Sequence, residues 1–542
     1  MTLLSIFWDR AAQQRDAPAL QFKRGDSFVS RTWSQVAEDV RRAAGVLRSH
    51  GVTPGDRVAQ VSENRYEWVV ADLAIAALGA IHVPIHATLS GPQIAWQLRD
   101  CAPRLILLSG PFQAEKLAAH ALPEGVPVLS YEPCPQCLPG HAVLGWDEAM
   151  RQIALDSIAG IVEQSRRAAD PDAVATILYT SGTTGEPKGV MLTHGNLLSN
   201  AQATVAVFPH DSGDVQLCWL PLSHVFARTC DLYTWIADGR IELVLGGGRD
   251  TLLADCAAVR PTVLNGVPYF FDKVYRFVLD EQQRGNAVSP RDLLGGRIRM
   301  CCSGGAALPE HVAQFFNEQG VRLLQGYGLT ETSPVISINL DSTRPGSVGR
   351  PLPGVEVRIA DDGEILTRGP HVMRGYWKRD DATAETLRDG WLHTGDLGRL
   401  DDEGYLYITG RKKELIVTAS GKNIAPVFIE SLVLQDPRIQ QLMVVGDGRN
   451  YLTALVVPHR EQIARELGVA ELSPDHEPRV RELVAEILRR QLRDLSPHEQ
   501  IARFTLLEAP FTIDRGELTP TLKLRREVIA QHYAAEIERL YA

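Results

Sequence analysis

One run of twelve residues constrains this chain more than any other: Tyr179-Thr-Ser-Gly-Thr-Thr-Gly-Glu-Pro-Lys-Gly-Val190. The apolar stretch Ala173 to Tyr179 before it reads as a strand, and so does the Gly-Val-Met-Leu that follows Lys188. The hydroxyls of Thr180, Ser181, Thr183 and Thr184, the glycines Gly182 and Gly185, and the cation of Lys188 therefore fall between two strands. Glycine allows close approach of the backbone, and exposed N–H groups, hydroxyls and a cation suit oxyanions such as the β- and γ-phosphates of ATP. A flexible turn between two strands is the plainer account of such a loop taken alone. A Walker A loop needs Gly-Lys-Ser/Thr opening a helix, whereas here Pro187 precedes Lys188 and a strand follows. That disfavours a P-loop NTPase or kinase.

The rest of the chain supplies the layers such a loop needs. Val215 to Leu220, Ile241 to Leu245, Val263 to Leu264 and Arg299 to Cys302 read as strands, and His194 onwards as a helix. This alternation predicts α/β layers with buried sheets. At 542 residues the chain exceeds what one core supports. A second regime begins after the short strand ending at Gly410. It has a helix near 427–434 and a hairpin, Leu442 to Val445 with Leu452 to Val457. Helices near 461–467 and 479–492, a strand at 504–507 and one last helix follow. The expected fold is α/β, with a large multi-layered N-terminal domain of α/β subdomains at 1–409. A hinge at 410–413 joins it to a small α+β C-terminal domain at 414–542.

A formal charge of −10 and a pI near 5.9 exclude a general phosphate-seeking surface, so no nucleic-acid partner is expected. No leader is evident at Met1 to Arg10, and the longest apolar stretch, Leu73 to Ile81, is far below the roughly 20 residues of a spanning helix. The eight cysteines show no disulfide-like spacing, and Cys134-Pro-Gln-Cys137 reads as a plain loop. A cytoplasmic protein is expected, with peripheral contact to the inner face of a membrane left open, as monomer or homodimer. Val528 or Ile529, Tyr533, Ile537 and Tyr541 form an apolar stripe that is more often core-facing than membrane-facing.

Other segments carry chemistry by residue type. Tyr327, between Gly326 and Gly328, offers an aromatic face for a planar base. Glu331 is a hard oxygen donor suited to Mg²⁺, which takes one or two carboxylates and leaves the rest to water and phosphate. Asp396 follows a Thr-Gly turn, and Lys523 lies in a proline-bearing loop before the last helix. Each has a bland alternative: a core tyrosine, a surface glutamate, turn chemistry, a solvated lysine.

The twelve-residue loop resembles the phosphate loop of the adenylate-forming superfamily, which contains acyl-CoA synthetases, luciferases and peptide-synthetase adenylation domains. Leu220-Pro-Leu-Ser-His224, Ser303-Gly-Gly-Ala306, Gln325-Gly-Tyr-Gly-Leu-Thr-Glu-Thr332, Thr394-Gly-Asp396, Gly410-Arg-Lys-Lys-Glu414 and Pro520-Thr-Leu-Lys523 follow in the family's order. The resemblance implies that ATP or AMP is held by Thr180 to Gly185 and Lys188, by Gly304, Gly305 and Ala306, by Gln325 to Gly328, and by Thr330. Asp396 would take the ribose with support from Arg411. It implies Mg²⁺ at Glu331 and Thr184, and Lys523 as the catalytic cation. Lys413 falls at the hinge, and Ser420, Gly421, Lys422 and Asn423 lie on the coenzyme A side. His224 is a candidate for the acyl pocket or a core histidine.

The implied reaction is activation of a carboxylic acid through acyl-AMP, then transfer to the thiol of coenzyme A. Ile416 to Pro426 and Pro520 to Arg526 look most like long-chain fatty acyl-CoA synthetases. Amino-acid-activating domains carry an aspartate in a Phe-Asp-x-Ser context, where this chain has Ser223-His-Val-Phe-Ala-Arg228. The insertion usual near the hinge of fatty acyl-AMP ligases is not evident between Leu406 and Pro426. An aryl or medium-chain acid, a carrier-protein acceptor, and a noncatalytic nucleotide-binding module are the alternatives.

Overall fold

The computed structural model describes residues 1–120, 122–134, 138, 141–154, 158–180, 187–341, 343–419, 421–512, 514–519 and 524–542. Among them, an eight-stranded sheet has Gly375–Tyr376 at one edge. It continues through Lys188–Thr193, Val174–Thr180, Ile81–Ile85 and Arg57–Val61 to three further parallel strands. A nine-stranded sheet runs from Arg350–Pro351 through Val335–Asn339, Arg322–Gly328, Met300–Ser303, Val263–Gly266 and Val215–Cys218 to Ser27–Thr32. A smaller antiparallel sheet contains Glu364–Arg368, Trp391–Leu400 and Leu406–Arg411. The mixed α/β architecture expected from the alternation of strands and helices is therefore present.

The two large sheets are joined by an apolar core in which Phe7, Trp33, Trp68, Trp235, Phe271 and Phe316 are fully buried. Trp33 and Trp235 stack at 4.6 Å. A buried polar knot crosses that core. Arg228 Nη2 donates to Asp72 Oδ1 at 2.5 Å, Arg228 Nη1 to Thr176 Oγ1 at 2.7 Å, and Asp72 pairs with His82 Nδ1 at 2.7 Å. Burial alone would raise the Asp72 pKa, but Arg228 and His82 outweigh it and hold it at about 2. Arg228 opens a π-helical stretch, Arg228–Tyr233, of the kind that re-aims side chains near functional sites.

Helix His194–Val207 begins where Thr193 accepts from the Asn196 N–H and Asn196 Oδ1 accepts from the Thr193 N–H, a reciprocal cap. Asn196 Nδ2 also donates to the carbonyls of Pro370 and Val372, which ties the helix to the segment leading into Gly375–Tyr376.

The C-terminal region has its own core. Strands Ile439–Val445 and Leu452–Pro458 form the expected hairpin, and Ile501–Leu506 adds parallel to the second. Helices Pro426–Val433 and Glu477–Gln491 cover one face, burying Ile429, Val433, Val484 and Ile487. The last helix is two helices, Arg526–His532 and Ala534–Tyr541, broken at Tyr533. Ile529 and Ile537 pack on Met443, Leu455 and Phe511, so the apolar stripe faces the sheet. Among the described residues no helix is long and apolar enough to cross a membrane. Cys134, for which the sequence predicts a plain loop, is disulfide-bonded.

Candidate functional site

A cleft of about 2380 Å³ opens between the ends of the two large sheets, the small sheet and the C-terminal region. Thr180, Pro187 and Lys188 reach it from the paired strands Val174–Thr180 and Lys188–Thr193, in which Thr180 lies opposite Lys188. Ser181, Gly182, Thr183, Thr184 and Gly185 lie outside the described residues. Gly375–Tyr376 adds to the far side of Lys188–Thr193, with Tyr376 opposite Val190. This sets the Lys188 ammonium 5.0 Å from the centre of the Tyr376 ring. Tyr376 Oη in turn donates to Glu331 Oε1 at 2.8 Å. Burial, and then the Glu331 carboxylate, push the Tyr376 hydroxyl well above its ordinary pKa, so it stays a donor. The Glu331 carbonyl accepts from the Met373 N–H at 2.8 Å, which fixes the turn Thr330–Thr332 against the same segment.

Beside this group stands a second. Tyr327, on strand Arg322–Gly328, donates to Asp396 Oδ2 at 2.7 Å, and Arg411 Nε lies 2.9 Å from Asp396 Oδ1. Asp396 and Arg411 are register partners in the hairpin Trp391–Leu400 with Leu406–Arg411. Asp396 is only 8% exposed, and these two donors meet its carboxylate. Gly326, Tyr327, Gly328, Thr330, Thr394, Gly395 and Arg411 all line the cleft. A Cβ on Gly328 would fall 1.8 Å from the Pro334 carbonyl, so glycine is required by the returning chain; Gly326 has ordinary room.

An apolar arm starts at Phe226, over which Gly304 packs: a Cβ there would lie 3.1 Å from the ring. It continues past Cys230, Cys302, Val335, Ile338 and Phe208. His224 caps the short helix Val225–Ala227, its Nδ1 accepting from the Phe226 N–H, and it lines the cleft. Gly305, at φ +83°, lines the cleft as well, whereas Ala306 and Gln325 adjoin it without lining it.

The C-terminal region closes the cleft through Met443, Val445, Asp447, Thr519, Leu524 and Arg525. Leu518 and Leu524 bridge the base of the loop that carries Lys523, itself outside the described residues. Arg465 makes a two-point ion pair with Asp280 at 2.7 and 2.9 Å, and Arg276 donates to the Pro437 carbonyl at 2.7 Å, docking the two regions. Lys413 lines the cleft in the turn Lys412–Glu414, while Lys412 pairs with Asp362 and Glu364. Gly421 and Lys422 are exposed and do not line it; Ser420 and the Asn423 side chain lie outside the described residues.

The segments brought together match one family model, AMP-binding enzyme, over residues 7–377, and a second, AMP-binding enzyme C-terminal domain, over 413–542. The chain belongs to the AMP-binding enzyme family. Among its relatives in that family is the long-chain-fatty-acid–CoA ligase FadD15 of Mycobacterium bovis, 35% identical over 94% of this chain and 92% of that protein. Solved AMP-binding relatives include MatB from Rhodopseudomonas palustris with ATP bound, at 26% identity and TM-score 0.77, covering 98% of this chain and 99% of that one. Another is the o-succinylbenzoate CoA synthetase MenE of Bacillus subtilis with its acyl-adenylate intermediate. It is 26% identical with TM-score 0.74, and covers 96% of this chain and 97% of that one.

Sequence reasoning missed Tyr376. Its only signal is an aromatic beside glycine in a two-residue strand, and its role depends on pairing with a strand almost two hundred positions away. It also missed Lys412 and the docking pair Asp280–Arg465, whose partners lie far apart in the chain.

Proposed function

We propose that this protein activates a fatty acid, of long chain, with ATP and passes the acyl group to coenzyme A. The observation that carries the reading is one cleft holding three arms. These are a cation–aromatic–carboxylate group at Lys188, Tyr376 and Glu331, a polar corner where Tyr327 and Arg411 on the wall hold Asp396 behind them, and the apolar arm from Phe226 to Phe208.

In the first half-reaction a carboxylate oxygen of the acid attacks the α-phosphorus, a P–O bond forms, and pyrophosphate leaves with the electron pair. The chain needs no nucleophile of its own; it positions the reactants and meets their charge. Thr180 to Gly185 and Lys188 hold the outer phosphates, and Thr330 stands near the α-phosphate. Tyr327 stacks on adenine, with Gly304 to Ala306 and Gln325 to Gly328 around it, and Asp396 accepts the ribose hydroxyls. Lys523 supplies the ammonium between carboxylate and α-phosphate, a reading supported by the position of its neighbours Thr519 and Leu524 on the cleft wall.

Among the described residues no cluster of three metal-ligating side chains exists. Glu331, a carboxylate on the cleft wall held by the Tyr376 hydroxyl, fits Mg²⁺, which is satisfied by one or two carboxylates with phosphate and water; Glu331, with Thr184, would hold it. The ion supplies charge neutralisation on the phosphates. In the second half-reaction the thiolate attacks the acyl carbonyl, a C–S bond forms, and the acyl C–O bond to AMP breaks, AMP leaving with the electron pair on its phosphate oxygen. Rotation about Lys413 precedes this step, withdrawing Lys523 and presenting the segment from Ser420 to Asn423.

Acid-dependent ATP–pyrophosphate exchange over a panel of carboxylic acids tests the reading. Exchange with palmitate-like acids and none with amino acids is expected; exchange confined to aryl or amino acids would replace the fatty acid by that class.

A further inference from the structure

The chain passes into the C-terminal region between two sets of charged anchors. On the near side, strand Leu406–Arg411 ends with Arg411 paired to Asp396, its register partner. The next residue, Lys412, places its ammonium 2.5 Å from Asp362 Oδ2 and 3.0 Å from Glu364 Oε2. Glu364 is 4% exposed, and its Oε1 accepts from the Gly395 N–H at 2.9 Å, one residue before Asp396. Lys412 is therefore fixed to the same small sheet that presents Asp396.

On the far side, the Glu414 carboxylate lies 3.8 Å from Arg526 Nε. The other two nitrogens of Arg526 donate to Glu430 at 2.8 and 2.5 Å, and Glu430 Oε1 accepts from the Val444 N–H on strand Ile439–Val445. Ile416 is buried in the C-terminal core, and the Val417 N–H donates to Asp447. Lys413 stands between these anchors. It is exposed, and no hydrogen bond or ion pair joins its side chain to another described residue. The backbone bond that spans it, from the Leu415 N–H to the Lys412 carbonyl, is long at 3.4 Å.

Each anchor lies wholly on one side of Lys413, so neither breaks when the regions turn about that residue. The contacts that hold the orientation seen here, Arg465 with Asp280 and Arg276 with the Pro437 carbonyl, join opposite regions and must be given up. A hinge absorbs a large φ/ψ change at a few positions, and fixed neighbours are what keep it to those few. With Lys412 loose, the bend would spread into the strand end, and the C-terminal region would arrive in a wider range of orientations.

We infer that Lys412, clasped by Asp362 and Glu364, and Glu414, clasped by Arg526, are positioning residues for thioester formation that confine the rotation to Lys413. The inference rests on the proposed rotation about Lys413 between the two half-reactions.

The experiment measures the two half-reactions separately in Lys412→Met, Lys412→Arg and Glu414→Gln, with Lys413→Pro as control. ATP–pyrophosphate exchange with palmitate reads the first, and single-turnover conversion of supplied palmitoyl-AMP and coenzyme A reads the second. Lys412→Met and Glu414→Gln should each slow the second step roughly threefold to tenfold, as for loss of a partly exposed charged contact, and leave exchange within about twofold. Lys412→Arg, which keeps the cation, should restore the second step. Equal slowing of both steps overturns the inference, because the pairs then serve only the fold. A second step at the native rate in either Lys412→Met or Glu414→Gln overturns it, and a faster one makes the clasp a latch on the present orientation instead. Thioester formation at the native rate by Lys413→Pro removes the hinge reading itself; a slow Lys413→Pro beside unimpaired Lys412→Met and Glu414→Gln leaves the hinge standing and sinks the inference alone.

Discussion

Tyr327 holds Asp396 by a 2.7 Å hydrogen bond from its phenol, so the residue expected to stack on a base also fixes the carboxylate expected to take the sugar. Burial, then Asp396, raise the Tyr327 pKa well above its ordinary value, which keeps the proton on the tyrosine. Tyr327→Phe retains the aromatic face and removes one bond to a buried anion, worth about 1.5–3 kcal/mol. KM for ATP should rise roughly tenfold or more with kcat changed far less. Steady-state kinetics at saturating acid check this, and an unchanged KM would separate Asp396 from nucleotide binding.

The hydroxyl of Tyr376 does the same for Glu331 at 2.8 Å, while its ring faces Lys188. Tyr376→Phe keeps the ring for the cation and frees one carboxylate oxygen. The Mg²⁺ concentration giving half-maximal exchange should shift by roughly threefold to tenfold, in line with the loss of one charge-assisted hydrogen bond. A titration that superimposes on the native curve would remove Tyr376 from the phosphate end.

How much of this the chain declares in advance depends on how local each feature is. Strand Val174–Thr180, helix His194–Val207 and the hairpin Ile439–Val445 with Leu452–Pro458 follow from apolar periodicity and turn residues. Asp396 and Arg411 are legible because one hairpin makes them neighbours. Tyr376 is not, since two residues carry no periodicity and its strand exists only by pairing with Lys188–Thr193. The final helix reads as continuous because nothing at Tyr533 breaks helical spacing; packing of its ring against Phe511 accompanies the break.

The orientation of the C-terminal region rests partly on Arg465 and Asp280, 41% and 32% exposed. An exposed pair contributes roughly 0.2–1 kcal/mol, and less as salt shortens the Debye length. Arg465→Ala should slow pyrophosphate exchange by up to about fivefold at low salt, with the effect fading in high salt. Equal loss at both ionic strengths would indicate damage to folding rather than to docking.

Burial holds His82, His86, His194 and His371 down to about 4 from an ordinary 6.5; Arg228 lowers His82 further while Asp72 partly opposes, and Asp72 and Asp170 partly oppose for His194. Between those values the unfolded chain binds protons that the folded chain does not, so stability rises with pH across that window and falls on acidification. Each histidine contributes about 1.4 kcal/mol per pH unit there. Urea midpoints should drop steeply from pH 6.5 to about 4, and His371→Gln should flatten the slope by about one proton. A midpoint constant across the window would contradict the buried neutral histidines.

Adenylation as proposed needs one cation at the reacting phosphorus, the ammonium of Lys523 between Leu518 and Leu524. Rapid-quench measurement of the two half-reactions in Lys523→Ala, with Lys413→Pro beside it, tests that most directly. Lys523→Ala is expected to lose release of pyrophosphate from ATP and a long-chain acid, yet convert supplied acyl-AMP and coenzyme A to thioester. Lys413→Pro should spare the first step and lose the second. Pyrophosphate release by Lys523→Ala at the native rate would contradict the account.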